Sequence, residues 1–414
     1  MATGDLTVAN GVMKIVGGKL TKQYEEVPLL HNRLQKGRGT KISDRGVEIP
    51  THLQGNYNHK FMTDGGEFPV GGSNTVKRAQ VFFKNFAFAV RLSGAAIDAI
   101  NSLDVAYIKD WLQFNLDESM SAGYKMGNIY AHGDGSGRLA TLTSTTSSSV
   151  TSTVNNNDAN RFLKSGLAID FVVPGTGQVE ASDTIDNAKA SATTFTTVGT
   201  VTTATSGDYV VAGGSFNLAI TGLAAIIDDT TNAPVVFQGL SRNTFPQYRA
   251  FRVNASSVGL DVSHLRRVLG AGIHINVGEL NRDVLEIWSH PAQTAAYSSL
   301  GWNLRRFDQK SKSIDLGFSA YEYEGIAWVE DVDSPKDRLD FIDFSTMAKY
   351  VAKDFGWDDK TGSILRQVPG TNAYKDQYEA YMTARFNYGC TRPNKNGFID
   401  TLAVPTGFTG NING

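Results

Sequence analysis

The chain has 414 residues, 41% of them hydrophobic, enough for a real core and, at about 150 residues per domain, for two or three domains. Thirty-nine basic residues face 41 acidic ones, a net charge of −2, which excludes the basic excess of a dedicated nucleic-acid binder and leaves any such contact to a local patch. One cysteine, Cys390, excludes an intrachain disulfide, and no apolar run approaches the ~18 residues that span a membrane.

The N-terminal stretch MATGDLTVANG has no charged segment followed by an apolar one, so no secretory signal is read there and a soluble protein made in a cytoplasm is expected. Residues 1–36 read as an arm that docks elsewhere, with a short helix over 25–35 where Val27, Leu30 and Leu34 share helical spacing. Eight glycines punctuate 37–75: Gly37, Gly39, Gly46, Gly55, Gly65, Gly66, Gly71 and Gly72. Between them lie strand-like pieces at Val47–Ile49 and Tyr57–Met62, and no helical period. A connection this long without a helix reads as a functional projection. As a hairpin with arms of about 15 residues it would reach about 50 Å. A lone hairpin is marginal in water, so it needs a neighbour to lie on.

Val81 to Leu92 alternates, with Phe82, Phe86, Phe88, Val90 and Leu92 on one face of an expected strand. Ser93 can cap a short helix carrying Ile97 and Ile100. Ser102 can cap a longer one from Asp104 to Ala122, with Val105, Ile108, Leu112 and Leu116 at steps of three and four and Gly123 as its stop. Ser/Thr-rich runs at 141–160 and 192–206 flank β-prone pieces at Ala168–Val173, Thr196–Thr202 and Tyr209–Val211, the pattern of a small all-β module. From Gly222 the pattern is mixed. Helices are expected from Asp261 or Ser263 through Leu265, Val268 and Leu269, and over Pro291–Leu300 and Ser345–Lys353. Strands are expected at Ile314–Phe318, Tyr321–Tyr323, Ile326–Val329 and, most clearly, Tyr378–Cys390, where apolar residues alternate. No solenoid or propeller period is present.

Chemistry-bearing patterns are few. The run His132-Gly133-Asp134-Gly135-Ser136-Gly137 lacks the Gly-Lys-Ser/Thr ending of a phosphate loop and reads as a tight turn. Asp331, Asp333 and Asp337 resemble part of a calcium loop without its glycine and closing glutamate. His31, His52, His59, His132, His264, His274 and His290 are scattered, and no pair has the spacing of a helical zinc site. Asp228-Asp229 and Asp358-Asp359 read as solvated turns. Cys390 reads as a small buried apolar residue. There is no Gly-x-Ser-x-Gly elbow, and a Ser/His/Asp set would have to form in space without any local signal. No catalytic, cofactor-binding or metal-ligating residue is expected, and the chain is read as no enzyme.

In order and spacing, these features resemble the major capsid proteins of tailed bacteriophages with the Hong Kong 97-type fold. The resemblance rests on the Gly-rich hairpin at about 40–80, VRLSGAAIDAI leading into a long helix, NIYAHGDGSGRLATL after it, AITGLAAIID with VVFQGLSRN, SIDLGFSAYEYEGIAWVEDVDSP, and the closing YEAYMTARFNYGCTRPNKNGFIDTLA. It covers most of 20–404 and is weakest over about 143–215. It implies an α+β capsid fold: arm (1–36), extended loop (37–80), peripheral domain with spine helix (81–142), inserted β-rich domain (143–215), axial domain with parts of the peripheral one (216–375), a strand returning to the peripheral domain (376–404) and a tail (405–414).

It also implies function. Copies would form homo-hexamers and homo-pentamers of an icosahedral shell in the virion, around double-stranded DNA held without sequence specificity. Assembly would occur in the host bacterial cytoplasm, with portal and possible decoration proteins as partners and no membrane or cofactor. Relatives often carry a scaffolding segment of about 100 residues before the arm; this chain starts close to the arm, so a separate scaffolding protein, or none, is expected. Lys41, Lys60 and Lys77 lie in or beside the hairpin but match no crosslinking motif, so no covalent crosslink is expected. Two other readings are an encapsulin-type nanocompartment shell protein and a secreted β-rich glycan-binding protein.

Overall fold

The computed structural model describes residues 29–37, 39–43, 45–94, 121–154, 162–187, 194–230, 235–278, 281–304, 321–359, 364–371 and 374–408. They form two compact units. One holds the described parts of 1–32, 84–128 and 351–386; the other holds those of 33–83, 129–350 and 387–414.

The helix Leu29–Arg33 comes first, inside the expected 25–35. Leu30 is buried, and its N–H donates to Asn128 Oδ1 at 3.1 Å. Strands β1 (Thr40–Ser43), β2 (Gly46–Gln54) and β3 (Thr75–Phe82) form an antiparallel sheet in that order. Val47, Ile49, Thr51 and Leu53 are buried in alternation along β2. Tyr57–Met62, expected as a strand, is neither strand nor helix.

β4 (Lys84–Ser93) follows β3 at once but joins another sheet. The expected single strand Val81–Leu92 is therefore two. Phe83 donates its N–H to Arg45 O at 2.9 Å, and the pairing changes there. Residues 121–131 are helical. The expected start of this helix at Asp104, the helix with Ile97 and Ile100, and the strand Ile314–Phe318 lie outside the described residues. Gly123 is not the stop. The helix continues through it to Ala131, and the missing side chain there makes room for Met382 Cε.

The Ser/Thr-rich region forms β5 (Arg138–Thr141), β6 (Thr146–Thr153), β7 (Ala168–Val172), β8 (Val179–Asn187), β9 (Thr194–Ala204) and β10 (Tyr209–Ala212). They pair antiparallel in the order β5-β10-β7-β8-β9-β6. A bridge between Leu142 and Val154, just past β5 and β6, joins the first strand to the last and closes the sheet into a small barrel. Leu139, Ile169, Phe171, Ile185, Phe195, Val201 and Val210 fill it, with the Phe171 and Phe195 rings stacked at 6.3 Å. The barrel starts and ends on neighbouring strands, where Arg138 pairs with Val211.

β11 (Val236–Phe237) and β12 (Leu240–Ser241) form a short hairpin. Beyond it come β13 (Phe251–Asn254), β14 (Leu285–Ser289), β15 (Glu322–Tyr323), β16 (Ile326–Glu330) and β17 (Leu339–Asp343). β18 (Met347–Trp357), β19 (Leu365–Pro369) and β20 (Tyr374–Cys390) then run in the order β18-β20-β19, and β4 pairs β20 from Lys84–Phe386 to Ser93–Gln377. Ser345–Lys353, expected as a helix, is largely β18. Met347 and Tyr350 fit a helical spacing, but pairing with β20 decides their state.

β21 (Gly397–Asp400) enters the mixed sheet β13-β21-β17-β14-β16-β15. Its central strands β14, β17 and β21 are buried at every position. Helical turns from Val262 to Val277 pack on it through Leu265, Val268 and Leu269, as the sequence predicts, and also through Ile273. The helix Pro291–Leu304 sets Tyr297 flat on Trp328 at 4.5 Å.

Candidate assembly surface

The loop that joins β2 to β3 carries the most exposed large apolar side chains described. Phe61 is 97% exposed, Val70 84%, Phe68 83% and Tyr57 74%. Burying each would gain about 1.5–3 kcal/mol, so their joint exposure makes this loop a candidate docking surface. Strand pairing has stopped here, and asparagines hold the two arms together instead. Asn56 N–H donates to Asn74 Oδ1 at 2.7 Å, Asn56 Nδ2 to Gly72 O at 3.0 Å, and Asn58 Nδ2 to Val70 O at 3.0 Å. At the apex Gly66 N–H closes on Thr63 O at 2.9 Å, with Gly65 at φ +77° where a type II turn requires a positive angle.

The root of this hairpin is fixed. On β3, Gln80 N–H donates to Gln238 O at 2.8 Å, and its side chain donates to Glu48 Oε1 at 3.1 Å. Gln238 and Gly239, at φ +51° and +77°, form the two-residue turn of the β11–β12 hairpin, the type I′ signature. The Gln238 amide meets the end of β20, with Nε2 on Cys390 O at 2.8 Å and Oε1 on Cys390 N at 2.9 Å. Gly389 leaves the space for it: a Cβ there would lie 2.6 Å from the Gln238 side-chain amide, at the oxygen in this orientation, and 2.8 Å from Val81 Cγ2. One turn thus clamps β3 to β20.

The residues singled out for chemistry sit elsewhere. A Ser/His/Asp set does form in space: Ser334 Oγ lies 3.4 Å from His132 Nδ1, and His132 Nε2 lies 2.9 Å from Asp331 Oδ2. All three are buried, and Asp331 also accepts the Asp333 N–H at 2.8 Å. The set ties the 331–334 turn to the residue just after helix 121–131, and the 199-residue separation of His132 and Asp331 left no sequence signal. Asp228, expected in a solvated turn, is fully buried 3.9 Å from Arg242 Nη1 and accepts the Thr230 N–H at 2.7 Å. Arg242 lies over the Phe237 ring and donates to the carbonyls of Ala225 and Ile226. Burial lowers its pKa, and Asp228 opposes that shift. A buried charge must have such a partner, which sequence adjacency does not reveal.

Cys390 is fully buried, as expected, and burial pushes its thiol up to about 11. Lys60 and Lys77 are exposed on the hairpin. Among the described residues no group of three or more His, Cys, Asp and Glu side chains is placed to hold a metal ion.

No family model and no curated protein sequence matches the chain. Among solved structures, the capsid asymmetric unit of Cyanophage A-1(L) matches with a TM-score of 0.55 at 13% identity, over 94% of this chain and 96% of that one. The capsid of the native GTA particle matches with 0.47 at 9% identity, over 97% and 100%. The holo-SrpI encapsulin complex from Synechococcus elongatus PCC 7942 matches with 0.44 at 8%, over 98% and 98%. The likeness to the Cyanophage A-1(L) capsid runs nearly end to end through both chains, and the fold is the α+β Hong Kong 97-like capsid fold that the sequence resemblance implied.

Proposed function

We propose that the chain is the major capsid protein of a tailed double-stranded DNA bacteriophage: a building block, not an enzyme, whose copies form hexamers and pentamers of an icosahedral shell. The observation that carries this reading is the hairpin tip, which holds Phe61, Phe68, Val70 and Tyr57 in water on a capsid fold. Its occupant is a second copy of this chain, because a closed shell brings every copy against several others and modest contacts then act together. The near-neutral chain, at −2, suits a wall along which DNA moves without sticking. The division into arm, extended loop, peripheral, axial and inserted domains belongs to the same proposal. So do portal, scaffolding and decoration partners, assembly in the bacterial cytoplasm and a place in the virion.

The test is the particle state of the purified protein, by light scattering and negative-stain electron microscopy. Shells, or rings of about 0.22 and 0.27 MDa for five and six copies of the 44.8 kDa chain, are expected. A chain that stays monomeric at high concentration, with or without a scaffold, would overturn the reading.

A further inference from the structure

The helical segment Val262–Val277 departs from the ordinary helix over half its length. Arg267–His274 is π-helical, between α-helical Val262–Arg266 and Ile275–Val277. Such wide turns are rare and recur at functional sites. Beside this one lies a groove of about 580 Å³, lined by Arg266, Leu269, Gly270, His274, Gly278, Arg282 and Glu324. Glycines at two lining positions keep it open; a Cβ at Gly270 or Gly278 would touch nothing.

Three of the lining side chains are of basic type, and two are guanidinium groups. Both converge on one carboxylate: Arg282 Nη2 lies 3.3 Å from Glu324 Oε2, and Arg266 Nε lies 3.7 Å from Glu324 Oε1. Arg282 also donates to the Glu324 carbonyl at 3.0 Å. The Arg266 and Arg282 side chains stay more than half exposed, so much of their donor capacity faces solvent. Next to Glu324, Tyr323 is buried, with 7% of its surface exposed. Arg266 and Glu324 are the charged groups that bear on its hydroxyl.

We propose that this groove is a binding site for a phosphoryl polyanion, with Glu324 occupying it in the resting state. The forks of Arg266 and Arg282 match phosphate oxygens, as guanidinium groups do, and His274 lines the same groove. The internal carboxylate sets the ligand class. It is tethered to the site at high effective concentration, so a simple monocarboxylate gains little by replacing it. A pyrophosphate or triphosphate brings several charges at once and displaces it. This site is independent of the shell reading, since it needs only the mixed sheet and its helix.

The test is isothermal titration calorimetry of the full-length protein with sodium pyrophosphate and with sodium triphosphate, at constant ionic strength. Saturable binding is expected. Arg266→Ala with Arg282→Ala should weaken it about tenfold or more, since each loses charge-assisted hydrogen bonds. Glu324→Gln should tighten it, because the internal competitor is gone; a purely structural Glu324 would not produce that sign. Circular dichroism of each variant keeps loss of fold separate from loss of binding, and these positions are exposed enough to tolerate substitution. Absence of saturable binding, equal binding by the double arginine variant, or no gain in Glu324→Gln would overturn the proposal. A duplex oligonucleotide added as competitor assigns the source: displacement places the phosphoryl group on a nucleic-acid backbone, and no displacement places it on a small polyphosphate.

Discussion

The side-chain amide of Gln238 pairs with the peptide of Cys390 as a neighbouring strand would, accepting from its N–H at 2.9 Å and donating to its carbonyl at 2.8 Å. One side chain thereby extends the ladder past the end of β20, while the Gln238 carbonyl holds Gln80 on β3. Gln238→Ala strips both bonds from a buried peptide and should cost about 1–3 kcal/mol. The measurement is a shift of the urea midpoint at unchanged slope. Gln238→Gly relieves the left-handed backbone but also lacks the amide, so it should remain destabilised; wild-type stability in that variant would mean that the amide contributes nothing.

Gly222 precedes the turn Leu223–Ile226 and sits against the end of helix 121–131. A Cβ at Gly222 would lie 2.5 Å from both Ala131 O and Gly133 O and 2.6 Å from Tyr130 O. These are backbone atoms and cannot swing aside. Gly222→Ala should therefore destabilise by about 3 kcal/mol, the upper range of overpacking, although alanine is ordinarily the better residue in a helix. Thermal unfolding of the two proteins under matched conditions settles it, and equal midpoints would refute the close packing.

Phe61→Ser with Phe68→Ser changes only side chains that face water in the isolated chain. Unfolding should move by less than about 0.5 kcal/mol, as for other surface changes. Assembly should need at least tenfold more protein, since each lost phenylalanine contact removes about 1.5–3 kcal/mol per interface. Light scattering across a concentration series reads this out. Assembly at the wild-type concentration would show that the tip does not dock.

Stability should fall in alkali. The Cys390 thiol is pushed up to about 11 by burial, and Tyr130 and Tyr350 to about 12, also by burial. These raised values favour the protonated form in the fold. Their stabilisation is complete below the unfolded values, about 8.5 for cysteine and about 10 for tyrosine, and is lost as pH rises through the folded ones. The free energy of unfolding should be flat from pH 7 to about 8.5. It should then decline by about 1.4 kcal/mol per pH unit for each group titrating. Cys390 should also resist thiol reagents at pH 8 until the protein unfolds; rapid native labelling would contradict its burial.

Asp208 and Glu180 both accept the Thr205 N–H, at 2.6 and 3.1 Å, where the barrel closes. Burial first, and the Glu180 carboxyl beside it, raise the pKa of Asp208. Its stabilising share is therefore full at acid pH and is lost as pH rises through the folded value. Asp208→Asn keeps an oxygen for Thr205 and drops the charge. It should be more stable than the wild type at pH 7, with the difference shrinking toward pH 4. A difference that grows on acidification would reverse the assignment.

What the sequence disclosed was local. The alternation along Tyr378–Cys390 appears directly as β20, whose Ala380, Met382, Ala384, Phe386, Tyr388 and Cys390 are all buried. The threonine runs read correctly as strands because branched side chains suit a pleated surface. The failures share one cause, a distant partner. Met347 and Tyr350 look helical until β20 pairs with them. The Val81–Leu92 pattern gives no sign that Arg45 ends one ladder at Phe83. Asp228 looks solvated until Arg242 covers it. The hairpin was legible as a projection from its glycines, whereas the asparagine clips that shape its tip span 12 to 18 residues and follow no period.

The barrel enters and leaves the chain at Arg138 and Val211, which face each other across adjacent strands. To the rest of the molecule it is therefore a branch with one point of attachment, not a link in a chain. Its outer loops can lengthen, change charge or accept a foreign peptide without moving any strand of the mixed sheet β13-β21-β17-β14-β16-β15. Natural variation in such a protein should collect on this branch, and an engineer wishing to decorate it would begin there.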